Sequence, residues 1–390
     1  MSSFLKVFFA LLILVVISVA LFYYMKDDKS ISQNENDVSV VPEVDLRSKI
    51  GQMILLGFRG TTVTKDLPIS TMIKDLQIGG IILFDYDVPS QSFPRNITGP
   101  AQVKQLIADL QSYSATPLFV SVDAEGGNVN RLKEKYGFAN ILSAKDMGKD
   151  ATLKTTERES VALAQELKEL GFNMNFAPVV DVDINPGNPV IGALGRSFSL
   201  NPKTVTDHAK VFIENHLANN IIPVAKHFPG HGSSTRDSHL GLVDITQTYK
   251  NEELLPYKIL QKEGLLDVVM TAHIMNKNID KNNPATLSPL FIKNILREEI
   301  GFGGVVISDD MQMNAIVDHY GFKEAVIGAV NAGCDILLLS NNGTAKYDEE
   351  LASKAIDIIY NTVQDGTILE KTIEDSYNRI IHLKEKFGIL

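Results

Sequence analysis

Eight short apolar runs recur along this chain, at 52–58, 80–84, 117–122, 174–180, 222–225, 268–272, 304–308 and 335–339. They are rich in Val, Ile, Leu and Phe and almost free of polar alternation. Strands of that composition are buried on both faces, as in a parallel sheet covered by helices. Longer amphipathic stretches at 101–112, 151–170, 202–218, 252–263, 288–299 and 322–332 separate most of the runs. Two more, 347–363 and 368–387, close the chain. Eight strands alternating with helices predict an α/β fold, a (β/α)8 barrel of TIM type. A doubly wound sheet is the alternative, but no G-x-G-x-x-G follows any run.

The polar residues support the barrel. Run after run ends in a reactive group: Asp123, Asp181 with Asp183, Lys226 with His227, His273, and Asp309 with Asp310. A barrel points all those ends into one bowl, where active sites sit. One such aspartate would be an ordinary helix cap. A series of them with Lys and His is a candidate site. The richest stretch is 226–239, where His227, His231 and His239 gather in a chain with 8 histidines. Those three could ligate zinc, but their spacing departs from H-E-x-x-H, and Pro229, Gly230 and Gly232 forbid a helix. No metal and no other cofactor is expected.

Composition bounds the rest. A chain of 390 residues, 44% of them hydrophobic, builds a large core without disulfides. The single cysteine, Cys334, excludes an intrachain disulfide and leaves the compartment open. A net charge of −10 without a basic stripe argues against nucleic-acid binding. Trp is absent, so any stacking on a sugar ring falls to Tyr or Phe.

Residues 7–25 form an uncharged apolar run just long enough to cross a bilayer as a helix. Lys6 and the amino end precede it, which leaves the N-terminus in the cytoplasm. A signal peptide could be cut after Ala20, but the run continues through Leu21, Phe22 and two tyrosines, so an uncleaved membrane anchor is preferred. No cysteine directly follows the run, which excludes lipoprotein attachment. Both readings export the remainder, toward the cell wall. The expected organisation is an anchor or signal segment at 1–25, a flexible linker at 26–44 and one barrel domain at 45–390.

Three constellations carry chemistry beside the histidine segment. In Asp123-Ala124-Glu125-Gly126-Gly127-Asn128-Val129-Asn130-Arg131, Asp123 can accept bonds from hydroxyls, while Arg131 can hold it or reach a ligand. Arg196 offers a planar fork in a glycine-rich loop, with Asp181 and Asp183 as possible structural partners. In Ser308-Asp309-Asp310-Met311, a buried strand delivers Asp309 as a nucleophile, and Asp310 points elsewhere, to cap the next helix. His239 is a proton donor with an ordinary pKa of about 6.5, and Asp237 can orient its ring. A carboxylate nucleophile with a separate proton donor is the arrangement of a retaining glycosidase.

K-H-F-P-G-H-G followed by D-S-H, with D-x-E-G-G-x-V-x-R upstream and S-D-D-M downstream, resembles family-3 glycoside hydrolases. More narrowly it is similar to their bacterial β-N-acetylglucosaminidase (β-N-acetylhexosaminidase) branch, from about residue 46 to the C-terminus. The resemblance implies Asp309 as the nucleophile forming a glycosyl-enzyme, His239 as acid/base and Asp237 as its partner. Asp123, Arg131, Arg196, Lys226 and His227 would bind a terminal N-acetylglucosamine, released from peptidoglycan fragments. It also implies no metal and a mobile histidine loop, with which Gly230, Gly232 and the two serines agree. Asn128 and Asn130 stand where relatives often carry Arg and Gln. Alternatives within the family are a β-glucosidase or β-xylosidase, against which the D-S-H pair argues, and a phosphorylase. Outside it stand an inert wall-binding module and a metallohydrolase.

Overall fold

The computed structural model describes residues 15–22, 24, 44–238 and 240–390. The chain falls into two compact units, 1–44 and 45–390. In the first, residues 15–22 are helical. Among the described residues no helix is long and apolar enough to cross a membrane. Most of the expected span 7–25 and nearly all of the expected linker lie outside them, so the anchor has no structural support.

The second unit holds the eight anticipated strands. They are β1 (Ile54–Gly57), β2 (Gly80–Leu83), β3 (Phe119–Val122), β4 (Met174–Asn175), β5 (Ile222–Phe228), β6 (Val268–Thr271), β7 (Val305–Ile307) and β8 (Leu337–Leu339). All are fully buried, as their composition requires. They form one parallel sheet in the order β7-β6-β5-β4-β3-β2-β1-β8. The two ends meet through a parallel bridge between Ile307 and Ile336, which nearly closes a TIM-type barrel.

The helices deliver the strands. Lys154–Leu170 ends at Gly171, whose φ of 94° is open to glycine at little cost, and Phe172 N–H returns to Leu167 O at 3.0 Å. Phe322–Ala332 ends the same way at Gly333, with Cys334 N–H on Ala329 O at 3.0 Å. Pro202–Ala218 opens on Asn201, whose side chain accepts Lys203 N–H at 2.9 Å, with Pro202 in the first turn. Four described α-helices were not anticipated, Leu46–Gln52, Pro68–Asp75, Ala144–Met147 and Asn314–Tyr320. The first is nucleated by Asp45, which accepts Ser48 N–H at 3.1 Å, and it takes Gln52 out of the expected first strand. The expected helix at 252–263 is split: a 3-10 turn, Asn251–Leu254, precedes Leu255–Lys262, because Pro256 has no N–H to continue the ladder.

A buried carboxylate braces the seam between β7 and β8. Asp335 is fully buried and accepts four bonds, each 2.8 Å long: from Arg297, Arg379, Ser376 and Val306 N–H. Those donors belong to two outer helices and to β7, so the group ties wall to ring at the last closure. Removing it leaves two guanidiniums around a buried void. Asp335→Ala should lower the unfolding free energy by roughly 3 kcal/mol in denaturant melts. An unchanged midpoint would show that the seam does not depend on it.

Candidate active site

The C-terminal strand ends meet as a barrel requires. A cavity of about 590 Å³ opens there, and Asp123, Arg131, Arg196, Lys226, His227, Asp237 and Asp309 all line it. His239 lies outside the described residues. The site therefore assembles from β3, β5, β7 and the loops after β4 and β5.

β5 sets the floor. The expected strand stops at residue 225, but the observed one runs on through Phe228, with a register shift against β6 between Ala225 and Phe228. Lys226 is paired across to the segment after β4: Val180 N–H donates to Lys226 O at 2.8 Å, and Lys226 N–H to Pro178 O at 3.2 Å. Lys226 and His227 thus sit on a strand, not in a mobile loop. Their orientation is fixed by the sheet.

Two carboxylates face them, Glu125 buried and Asp123 half-buried. Lys226 Nζ lies 2.9 Å from Asp123 Oδ1 and 2.7 Å from Glu125 Oε1. Arg196 grips Glu125 with both arms, Nε at 2.8 Å and Nη2 at 2.7 Å, while its Nη1 donates to Val190 O at 2.9 Å. Arg131 stands 3.6 Å from Asp123 Oδ2. Burial works against ionised carboxyls, but Lys226, Arg131 and Arg196 outweigh it and hold Asp123 well below the usual carboxylate range. Arg196 and Lys226 lower Glu125 in the same way. Against burial, Glu125, Asp181 and Asp123 raise the pKa of Arg196. Glu125 had no role assigned from sequence. Only its membership of the D-A-E-G-G stretch pointed to it.

His227 is neutral. Its Nε2 lies 3.2 Å from Arg196 Nη2, a group that only donates, so Nε2 accepts and the proton resides on Nδ1. Nδ1–H then donates to Asp181 Oδ2 at 2.7 Å. Burial, then Arg196 and Lys226, push the imidazole pKa well below its ordinary value. Asp181 also receives the N–H of His227 at 3.2 Å and of His231 at 2.7 Å. Its partners are therefore histidines and backbone, not the arginines anticipated. Asp183 has no arginine partner among the described contacts either; its Oδ1 is buried without a hydrogen bond.

The segment after β5 is packed tightly. A Cβ on Gly230, at φ 130°, would meet Glu253 Cβ at 2.6 Å, and one on Gly232 would meet Val182 O at 1.7 Å. Ser233 and Ser234 are fully buried. The glycines here answer to close approach rather than to loop freedom. Beyond them, Thr235 and Arg236 are exposed and Asp237 turns to the cavity.

Opposite the floor, Asp309 Oδ1 accepts Asp310 N–H at 2.8 Å. Asp310 was expected to point elsewhere and to cap a helix, but it lines the same cavity and caps none: it accepts Gln312 N–H at 3.2 Å and Ser340 N–H at 3.1 Å, joining the ends of β7 and β8. His273, buried after β6, places Nε2 2.9 Å from Asp310 O and Nδ1 2.9 Å from Thr286 Oγ1. It braces the strand end that presents Asp309. Asn128 donates to Leu194 O at 3.1 Å, and Asn130 accepts Leu132 N–H at 3.0 Å; neither lines the cavity. Among the described residues no three His, Cys, Asp or Glu side chains converge to hold a metal ion.

Behind the carboxylates stands a relay. Asn175, at the end of β4, donates to Ala124 O at 3.0 Å and accepts Ala124 N–H at 3.1 Å, which fixes the backbone between Asp123 and Glu125. Asn175 Nδ2 also meets His216 Nε2 at 3.1 Å, and His216 Nδ1 meets Phe212 O at 2.9 Å. Burial pushes His216 down to about 4.

This geometry has counterparts of known family. The N-terminal-domain model of glycosyl hydrolase family 3 matches residues 45–383. A beta-hexosaminidase A of Pseudoalteromonas piscicida is 32% identical over 372 residues, which cover 86% of this chain and 60% of that protein. A beta-hexosaminidase of Neisseria meningitidis serogroup C is 37% identical over 280 residues, covering 69% of this chain and 73% of the relative. The solved structure of a glycoside hydrolase family 3 beta-N-acetylglucosaminidase from Paenibacillus sp. str. FPU-7 superposes with a TM-score of 0.79 at 34% identity. That match covers 89% of this chain and 63% of the other.

Two outcomes follow from the buried groups. Glu125→Gln uncouples Arg196 and Lys226 and should cost about 3–5 kcal/mol of unfolding free energy; a loss below 1 kcal/mol would mean the cations find other partners. An unfolded imidazole takes up its proton at about 6.5, before folded His216 does, so its contribution is complete above that pH and is lost as pH falls toward 4. The stability difference between wild type and His216→Gln should accordingly shrink from pH 7 to pH 4 in paired melts, and a difference independent of pH would refute the neutral assignment.

Proposed function

The chain belongs to glycosyl hydrolase family 3, and on that footing we propose that it is a retaining exo-β-N-acetylhexosaminidase. It would release terminal, non-reducing β-linked N-acetylglucosamine, with peptidoglycan fragments as the substrate. The observation that carries the reading is the single cavity shared by Asp309, Asp237 and the polar floor of Asp123, Arg131, Arg196, Lys226 and His227.

The floor suits a hydroxylated ring. An ammonium has three donors, and Lys226 spends two on Asp123 and Glu125, which leaves one for a sugar oxygen. Asp123 Oδ2, 3.6 Å from Arg131, can accept from a hydroxyl. Because these groups are already oriented and largely dry, the substrate meets them without reorganisation. Asp309 then attacks the anomeric carbon and forms a covalent glycosyl-enzyme, while His239 protonates the leaving oxygen. Water completes the second step, with His239 now taking its proton and Asp237 orienting the ring. The uncharged apolar run at 7–25 supports export and attachment to the cell membrane; recovery of the protein in the soluble cytoplasmic fraction would contradict that.

Asp309→Asn should lower turnover of an aryl β-N-acetylglucosaminide by on the order of a thousandfold or more. His239→Ala should lose about a hundredfold on poor leaving groups and much less on activated aryl glycosides. Full activity in Asp309→Asn would end the assignment. Adding phosphate separates hydrolysis from phosphorolysis, because only the latter yields the sugar 1-phosphate.

A further inference from the structure

His231, one of the three histidines of the 226–239 stretch, has no part in the site described so far. It is buried and is not among the residues lining the cavity. Burial pushes its imidazole below the ordinary range, so near neutral pH the ring is an uncharged hydrogen-bonding group. Three contacts fix it. Its N–H donates to Asp181 Oδ1 at 2.7 Å, its carbonyl accepts from Asn188 Nδ2 at 2.7 Å, and its ring Nε2 lies 3.1 Å from Ser238 Oγ.

Each contact leads to a different part of the site. Asp181 also holds His227 of the floor, through Nδ1 at 2.7 Å. Asn188 is fully buried, and its Oδ1 accepts Val190 N–H at 2.9 Å and Ile191 N–H at 3.1 Å. Val190 lines the cavity and gives its carbonyl to Arg196 at 2.9 Å. Ser238 is buried and directly follows Asp237, which lines the cavity. Between His231 and Ser238 the chain passes through solvent, where Thr235 and Arg236 are exposed. The stretch is therefore an arch with two feet. Asn185 Nδ2 holds the near foot, donating to Ser234 O at 2.9 Å. The far foot is Ser238, set against the His231 ring. Releasing one foot restores conformational freedom to an exposed arch, and a proton donor works only within hydrogen-bond reach of the leaving oxygen.

We propose that His231 is a positioning residue, which fixes through Ser238 the end of the arch that carries Asp237 and the acid/base beside it. This rests on the hydrolytic reading above, with His239 as acid/base, and adds what places that group. His231 lies outside the cavity and acts through its neighbours. It carries position from the buried floor and wall, through Asp181 and Asn188, to a segment that otherwise runs in solvent.

The test compares two substrates of the full-length protein. A 2,4-dinitrophenyl β-N-acetylglucosaminide loses its phenol without protonation, whereas a β-1,4 disaccharide of N-acetylglucosamine needs a proton on its leaving oxygen. Ser238→Ala and His231→Ala should each lower kcat/KM for the disaccharide by about five- to tenfold and change the aryl glycoside by less than about twofold. The double variant should be no worse than the poorer single one, since both changes remove the same contact. Equal losses on the two substrates, no loss on the disaccharide, or single losses that multiply in the double variant would overturn the positioning role. Should His231→Ala fail to fold, Ser238→Ala decides alone, by the same comparison of substrates. His239→Ala keeps the two readings apart. If it affects both substrates equally, the acid/base assignment fails and takes this inference with it; if it spares the aryl glycoside while Ser238→Ala does not, this inference alone fails.

Discussion

Glu125 is the acceptor on which the polar floor depends. Both its oxygens are engaged by Arg196, and one is shared with Lys226, at distances of 2.7–2.8 Å. All three side chains are at least nine-tenths buried. Two cations withdrawn from water at one site would repel each other and destabilise the barrel mouth, had they no carboxylate between them. With Glu125 in place, the same charges become fixed donors. Lys226 then reaches Asp123, and Arg196 reaches His227. The electrostatics of the cavity descend from that one contact.

The contact is precise because it is braced from outside the barrel. A helix (Pro202–Ala218) supplies His216, β4 supplies Asn175, and Asn175 holds the two backbone groups of Ala124, between the carboxylates. On the opposite side His273 supports the Asp310 carbonyl, and Asp310 ties the ends of β7 and β8. Buried, hydrogen-bonded side chains therefore hold both halves of the site, and little of that support comes from flexible surface loops. Such support limits the reorganisation needed when charge develops during reaction.

What was legible in the sequence follows from range. The eight strands could be read because burial on both faces leaves a mark on every residue, and the convergence of their polar ends follows from barrel geometry alone. Helices at Leu46–Gln52 and Pro68–Asp75 escaped because they are short, and the first runs directly into the apolar residues of β1. Glu125 escaped because its partner, Arg196, lies 71 residues away, and Asp181 was misassigned because its partner, His227, lies 46 residues on. Side-chain partners across a barrel leave no periodic trace. Lys226 and His227 were read as reactive groups at the end of the strand; its continuation through Phe228 was hidden because proline and glycine follow so closely.

The neutral state of His227 shows why these long-range partners matter to chemistry. Had the imidazole been protonated, its Nε2–H would point at the Arg196 guanidinium, and two donors would face each other in a buried site. Neutral, it accepts from Arg196 and passes its remaining proton toward Asp181, so the guanidinium stays bound on both sides. A second cation at that position would also draw the field of the floor away from Asp123 and Glu125, whose ionisation relies on Lys226 and Arg196. The histidine on the strand is thus suited to orientation and hydrogen bonding.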